Sequence, residues 1–160
     1  MRSAPRFLAG VLSRDGSLIG VDFTEWRRLL AADDEYELSP GATTADLAKA
    51  EADLGTALPA EMRQVYLASN GVLHRDGHYY PVWPLSEVVR RNRQDWSLDG
   101  RAERHDLMGF GDDGTGAPFC ARLAESEGVY HWQPIGGEAT PLARTFAEFW
   151  AGWNAGTITT

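Results

Sequence analysis

One cysteine and four histidines are the side chains of this chain best suited to nucleophilic catalysis or metal binding. A thiol attacks efficiently when a neighbouring base takes up its proton, so Cys120 and His131 are the pair to consider. The sequence contains neither a G-x-S-x-G turn nor an H-E-x-x-H pair. Cys120 falls in a predicted strand, where a buried thiol acts as a small hydrophobic residue. Strand alternation favours an outward position for His131, and we predict no catalytic residue.

The segment Gly-Phe-Gly-Asp-Asp-Gly at residues 109–114 formally matches the dinucleotide-binding signature G-x-G-x-x-G. That signature must lead into a helix whose N-terminus receives the pyrophosphate. Here residues 117–123 are typical of a strand, and Asp112 and Asp113 would repel the phosphates. The acidic spacing of an EF-hand calcium loop is also missing. We therefore predict an exposed hairpin loop and no cofactor.

Metal binding has equally little support in the sequence. His74 and His78 flank a turn and could share an ion, but no further ligand lies at a suitable spacing. The single cysteine excludes a disulfide framework and every multi-cysteine zinc motif. We predict no metal site.

Charge is more informative than the motifs. The formal net charge of −8 disfavours nucleic acid or an anionic membrane as the main partner, because both attract basic surfaces. Eight acidic residues accompany a single lysine between residues 32 and 61, whereas residues 88–104 contain five arginines. An acidic surface is compatible with a basic protein partner, and solubility alone is the alternative explanation.

Two kinds of residue are candidates for contact with such a partner. Acidic side chains steer basic partners, and large aromatic side chains anchor many interfaces. Trp83 and Trp96 flank the arginine-rich segment, whereas Trp150 and Trp153 follow a helical stripe and are most simply core. A solvated loop and ordinary core packing are the alternatives for these candidates. The candidate partner-binding residues are Asp33, Asp34, Glu35, Glu37, Trp83, Trp96, Asp112 and Asp113.

The N-terminal segment, residues 7–23, has the pattern of a β-hairpin around the Asp15-Gly16 pair. A two-residue turn predicts three pairs on one face: Leu12 with Ile19, Gly10 with Val21, and Leu8 with Phe23. The segment is too short and too polar for a signal peptide, and nothing approaches a membrane span. We expect a soluble cytoplasmic protein.

Four further segments have helical patterns. Thr24 is the predicted cap of the first helix, and the acidic stretch after it is predicted to be a loop. Thr43 with Asp46 forms a capping box for the second helix, which ends at Gly55. A third helix starts after Leu58-Pro59 and stops at Asn70-Gly71. The last two predicted helices are capped by Ser86 (a short helix at residues 87–94) and by Thr145 (a C-terminal amphipathic helix).

Strand patterns occupy residues 78–83, 107–110, 118–123 and 129–133, and Pro81 makes the first of them an edge strand. The short connections between the last three favour an antiparallel meander. The sequence thus predicts an α+β fold in one domain over residues 1–160, in which a helical N-terminal half packs on a small, mainly antiparallel sheet. The C-terminal amphipathic helix closes it.

Several short motifs follow one another along the chain: Ala-Glu-Ala-Asp-Leu-Gly at 50–55, Ala-Leu-Pro at 57–59, Tyr66-Leu67, Asn70-Gly71, Val-Trp-Pro-Leu-Ser-Glu-Val at 82–88, the glycine-aspartate hairpin at 108–116 with Phe119-Cys120, the strand 129–132, and 142–150. In these motifs and their order the chain resembles the SUKH superfamily of Smi/Knr-type proteins. The resemblance covers residues 43–153. The N-terminal hairpin, residues 1–23, lies outside it.

The resemblance implies a non-enzymatic module that binds another protein. Bacterial members of the family are similar to immunity proteins that neutralise a cognate polymorphic toxin, often a nuclease. A basic toxin would fit the acidic charge of this chain. Two alternatives stay open from the sequence: a housekeeping regulatory or scaffolding module of the same fold, and a small enzyme using Cys120 and His131.

Overall fold

The computed structural model describes residues 11–12, 18–19, 23–98, 100–123 and 128–160. Within these residues the fold is a mixed α+β arrangement of two antiparallel sheets, five α-helices and a short N-terminal strand pair. The strands are β1 Val11–Leu12, β2 Leu18–Ile19, β3 Tyr36–Leu38, β4 Val72–His74, β5 Tyr79–Val82, β6 Leu107–Asp112, β7 Pro118–Arg122, β8 Val129–Gln133 and β9 Glu138–Ala143. The helices are α1 Phe23–Leu30, α2 Thr44–Leu54, α3 Ala60–Ala68, α4 Leu85–Trp96 and α5 Phe146–Asn154, with a 3₁₀ turn at Ala102–Asp106.

The two sheets meet where β5 approaches β6. Strands β3, β4 and β5 form a three-stranded antiparallel sheet, and β6 to β9 form an antiparallel meander in sequence order. The backbone N–H of Trp83 donates to the carbonyl of Phe110 at 2.6 Å, which joins the end of β5 to β6. The predicted α+β class and the meander are therefore confirmed.

Aromatic side chains from α5 form the centre of the core against the inner face of the four-stranded sheet. Phe146, Phe149 and Trp150 are buried, as the predicted stripe requires. The centroid of the Phe149 ring lies 4.8 Å from that of Phe119 on β7 and 5.8 Å from that of Phe110 on β6. Edge-to-face and tilted pairs of this kind add to the stabilisation from burial alone.

Local signals place the ends of two helices as predicted. Thr43 and Asp46 form a reciprocal capping box on α2, and Gly55 adopts the left-handed conformation that ends it. Thr145 caps α5 by accepting a hydrogen bond from the N–H of Glu148. The carboxylate of Glu148 accepts from the N–H of Arg144, so the second arm of that box reaches one residue further back than predicted.

A buried polar network fastens α4 to the outer face of the four-stranded sheet. Asn92 is fully buried; its Oδ1 accepts from Gly109 N–H at 2.7 Å and from Arg104 Nη2 at 2.8 Å. Its Nδ2 donates to the carbonyls of Val88 and Gly109, so every hydrogen-bonding group of the amide is satisfied. Arg104, also fully buried, donates to Asp95 at 3.0 Å.

The N-terminal strand pair differs from the predicted register. Val11 pairs with Ile19 and Leu12 with Leu18, one residue away from the predicted Leu12–Ile19 pair. An odd number of residues lies between the observed partners, whereas the predicted two-residue turn requires an even number. Phe23 is the first residue of α1, so it forms no strand pair with Leu8. The Gly10–Val21 pair lies outside the described residues.

Three other local predictions were wrong. Thr24 and Ser86 lie inside α1 and α4, because these helices start one residue before each predicted cap. Pro84 takes the cap position of α4, and the side chain of Asn70 accepts the N–H of Leu85 at 2.9 Å, replacing the serine cap. The acidic stretch contains the strand β3, and β4 and β9 were missed. β3 pairs with the distant β4, which no local pattern reports. β9 pairs with its neighbour β8, but it has no buried residue and contains Pro141, so it lacks the pattern of a strand.

Candidate protein-binding site

The β4–β5 hairpin creates an aromatic platform at the surface. His74 and Tyr79 flank the turn and pair across it, and their rings stack with centroids 4.8 Å apart. Gly77 makes this approach possible, since a Cβ there would lie 2.5 Å from the ring of Tyr79 and 2.9 Å from His74 Nδ1. Tyr36 on β3 meets the His74 ring edge-on at 5.5 Å.

Hydrogen bonds fix the orientation of the histidine ring. The N–H of Gly77 donates to His74 Nδ1 at 2.8 Å, so in the neutral ring the proton lies on Nε2. Nε2 lies 3.3 Å from Oε2 of Glu35. The acidic stretch after α1 is thereby connected to the platform.

A second acidic segment reaches the same platform from the β6–β7 turn. Gly114 adopts a positive φ of 94°, and a Cβ there would lie 3.3 Å from the ring of Tyr79, so this turn rests against the tyrosine. Asp113, the preceding residue, lies close enough to influence Tyr79 electrostatically. We call Glu35, His74, Tyr79 and Asp113 the carboxylate–tyrosine patch.

The ionisation of these groups follows from their surroundings. Partial burial raises the pKa of Tyr79, and Asp113, Glu35 and Asp112 raise it further because a phenolate would face their negative charges. Burial would raise the pKa of Asp113, but hydrogen bonds from Thr115 and Thr160 hold it below its ordinary value. At neutral pH the patch therefore presents a carboxylate and a neutral phenol.

Buried beneath the patch, Tyr36 supports the platform from below. Its burial, assisted by nearby Tyr79 and the acidic side chains, raises its pKa to about 12. The ring packs 5.0 Å from that of Trp150 on α5. The platform is therefore anchored in the main core.

The patch has the chemistry of a receptor for a basic side chain. An arginine or lysine could pair with the carboxylate of Glu35 or of Asp113 beside the aromatic stack. Carboxylates near an aromatic group favour a cation over a neutral group. No acid–base or nucleophilic function follows from this arrangement.

The other acidic candidates lie around the patch in different settings. Asp33 accepts the N–H of Glu35 at 3.0 Å and so shapes the turn, while Asp34 is exposed beside it. Glu37 is exposed on β3, in a shallow groove with Arg27, Arg28 and Arg75, so its surroundings are basic. The structure brings together only part of the predicted acidic set.

Three candidates are wholly or partly buried. Trp83 is 2% exposed, and its indole N–H donates to Oδ2 of Asp112 at 2.8 Å. Asp112 is itself buried and also accepts from Gly114 N–H. Trp96 is half-buried and donates to the carbonyls of Arg104 and Leu107. These residues can shape a surface but present little area of their own to a partner.

Cys120 and His131, the pair considered for catalysis, lie on opposite faces of the sheet. Cys120 pairs with Tyr130 and faces the outer side with Leu107 and Trp132, whereas His131 pairs with Phe119 and faces the inner side. The thiol is fully buried, as predicted, and burial raises its pKa to about 12. The outward position predicted for His131 was wrong: it is 4% exposed, because α5 covers that face.

Metal binding and membrane insertion can be considered for the residues that the structure describes. Within them, no three histidine, cysteine or acidic side chains are grouped so as to hold a metal ion. None of the helices that the structure describes has both the length and the apolar character of a membrane span.

His74 and Tyr79 were missed as site residues. The sequence did carry a signal for them, because Arg75-Asp76-Gly77 marks a turn and the residues flanking a hairpin turn become cross-strand neighbours. What the turn could not indicate was the contact with Glu35 and Asp113.

Comparison with known proteins identifies the family. No curated protein sequence matches the chain. The family described as SMI1 / KNR4 family (SUKH-1) matches residues 41–152, which include β4 to β9, the helices from α2 to α4, and most of α5. This span agrees with the segment over which the ordered motifs were found. The chain belongs to the SMI1 / KNR4 family (SUKH-1).

Proposed function

We propose that this protein is a cytoplasmic bacterial immunity protein that neutralises a cognate polymorphic toxin by binding it stoichiometrically. Members of its family are commonly immunity proteins, and generally act without catalysis. A nuclease is the favoured toxin class, because nucleases carry basic surfaces that hold phosphates. The protein would cover such a surface and transform no substrate itself.

The convergence of two acidic segments on one aromatic platform is the observation that carries the proposal. Glu35 and Asp113 are separated by 78 positions in the sequence, yet Glu35 contacts His74 and the turn that carries Asp113 reaches Tyr79 in the same stack. Hydrogen bonds on Asp113 and on His74 hold the platform in place before any partner arrives. A preorganised site loses less conformational entropy on binding.

Charge and shape would act at different stages of the encounter. The net charge of −8 attracts a basic toxin from a distance and accelerates association, an effect that salt screens. Once docked, a toxin arginine or lysine at the platform would pair with Glu35 or Asp113. Such charge-assisted hydrogen bonds would hold the docked partner.

The test is binding to the product of the adjacent gene. The two proteins are co-expressed and purified, and the association rate is measured at several salt concentrations by stopped-flow fluorescence. We expect the double substitution Glu35→Gln, Asp113→Asn to slow association about tenfold at low salt and to flatten its salt dependence. Its free energy of unfolding should fall by about 1 kcal/mol, since Glu35 is exposed but Asp113 is half-buried and accepts hydrogen bonds from Thr115 and Thr160.

A matched control removes the same charge elsewhere. Glu103→Gln with Asp106→Asn changes two exposed carboxylates at the opposite end of β6. If this control slows association as much as the patch variant, general charge and not the patch steers binding. If no neighbouring gene product binds the wild-type protein, the toxin assignment fails. A housekeeping partner encoded elsewhere then becomes the function to pursue.

A further inference from the structure

A second feature lies on the other side of the β6–β7 hairpin and has the opposite charge. A cleft of about 180 Å³ separates α4 from the outer face of β7 and β8. Trp132 and Pro118 line it from the sheet, and Arg90, Arg91 and Arg101 line it from α4 and the following loop. We call it the arginine cleft. Its volume suits one side chain of a partner, not a large ligand.

One arginine of the cleft is held in a fixed position. The guanidinium of Arg91 lies 4.6 Å from the centre of the Trp83 ring, a cation–π contact. Its Nε donates to Glu87 at 2.9 Å, and its Nη1 lies 3.7 Å from Oδ2 of Asp112. Trp83, which the sequence suggested as a partner-binding residue, is buried and thus contributes to this cleft by positioning Arg91.

The charges around the cleft leave it positive. Arg90 and Arg91 share the single carboxylate of Glu87, whose pKa their hydrogen bonds lower to about 2. Asp95 also lines the cleft, but it pairs with the buried Arg104. Among the residues that the structure describes, Arg101 has no ion-pair partner. The cleft can therefore accept negative charge from outside.

We propose that the arginine cleft binds one carboxylate, the side chain of an aspartate or glutamate on the partner protein. This inference rests on the proposed function for the identity of that partner. A carboxylate fits better than a phosphate dianion, because Asp95 and Glu87 already lie at the cleft and would repel a second negative charge. Arginine pairs with carboxylates in a planar, two-pronged geometry.

The cleft lies beside the carboxylate–tyrosine patch, so a partner that binds both needs a specific pattern of charges. Asp112 contacts Arg91 on the cleft side, and Asp113 belongs to the carboxylate–tyrosine patch. The two sites therefore adjoin along one hairpin. A partner that occupies both would present a basic side chain next to an acidic one. This alternation selects against a surface that is only basic, such as that of an unrelated nucleic-acid-binding protein.

A direct test uses the blocked peptide acetyl-Gly-Glu-Gly-amide as the probe. The ¹⁵N-labelled protein is titrated with the peptide at low ionic strength, and the Trp132 indole and arginine Nε–H signals are followed by NMR. We expect saturable shifts in the millimolar range. Arg101→Gln should weaken binding about fivefold or more, and Arg90→Gln should weaken it less, because Arg90 is held by Glu87.

The control variant is Arg93→Gln, an exposed arginine on α4 that does not line the cleft. It should bind the peptide as the wild type does. The inference is overturned by an absence of saturable shifts, by equal weakening in the control, or by tighter binding of inorganic phosphate than of the peptide.

The same variants separate this inference from the proposed function. If the adjacent gene product fails to bind while the peptide binds the cleft, the toxin assignment fails and the carboxylate site stands. If the gene product binds equally to Arg101→Glu and to the wild type, the carboxylate site is not used and only this inference fails.

Discussion

The two faces of the four-stranded sheet are stabilised in different ways. The inner face is aromatic and apolar, with Phe110 and Phe119 packed under Phe146 and Phe149. The outer face combines a small apolar cluster around Cys120 with buried hydrogen bonds that fasten α4. The inner face thus depends on burial of area, whereas the outer face depends on satisfied polar groups. The arginine cleft lies on the outer face, where polar side chains are already organised.

Removing an aromatic ring from the inner face should have the largest effect on stability. Phe149→Ala leaves a cavity among four aromatic neighbours, and we expect the free energy of unfolding to fall by about 4 kcal/mol. Urea denaturation followed by tryptophan fluorescence measures this. Phe23→Ala, at a ring that is 44% exposed, is the control and should cost less than about 1 kcal/mol. Equal losses would mean that α5 is not the centre of the core.

Breaking the polar network should cost somewhat less. Arg104→Met removes a buried guanidinium, leaves Asp95 without its ion-pair partner and takes one of two donors from the Leu107 carbonyl, and we expect a loss of about 3 kcal/mol. Asn92→Leu should cost a similar amount. Because the two side chains are hydrogen-bonded, the double variant should lose less than the sum of the single losses.

Urea denaturation of the wild type, the two single variants and the double variant gives the double-mutant cycle. Arg93→Met, an exposed substitution on the same helix, is the control. Strict additivity of the two losses would show that Asn92 and Arg104 stabilise the fold independently. In that case the outer face would not depend on a connected network.

Alkaline pH should cause the smallest of these losses of stability, through the Cys120 thiol on the outer face. Burial raises the pKa of Cys120 to about 12, so the thiol stays protonated in the folded protein and ionises near its ordinary pKa, about 8.5, on unfolding. The unfolded state then binds fewer protons, and stability falls as pH rises between these two values. The expected slope is about 1.4 kcal/mol per pH unit for this group.

The slope is measured by urea denaturation at intervals from about pH 8 to about pH 9.5, below the range in which the ionisation of unfolded tyrosines dominates. Cys120→Ala should remove most of it while Tyr36 and Tyr66, whose pKa values burial also raises, continue to lower stability at higher pH. An unchanged slope in Cys120→Ala would assign the alkaline sensitivity to other groups.

Local sequence signals predicted the helices best. The capping box of Thr43, the glycine at position 55 and the aromatic stripe of α5 each depend on residues within a few positions of one another. Strands β3 and β4 escaped prediction because both are short and β3 pairs with β4 far along the chain. Strand β9 escaped it because it has no buried residue and contains Pro141. Glu35 and Asp113 were among the partner-binding residues predicted from the sequence, and their role in binding stays a prediction. The sequence did not point to the His74–Tyr79 platform beside them.

The sequence by itself determined the fold class, the ends of α2, the covered face of α5, and the acidic charge. These follow from residue periodicity, capping and composition, which act over short distances. Only the tertiary structure decided that Glu35 contacts His74 while the Asp113 turn reaches Tyr79, that Trp83 positions Arg91 from inside, and that Cys120 and His131 face opposite ways. Such contacts depend on how whole elements pack, and a linear pattern does not encode which distant surfaces will touch.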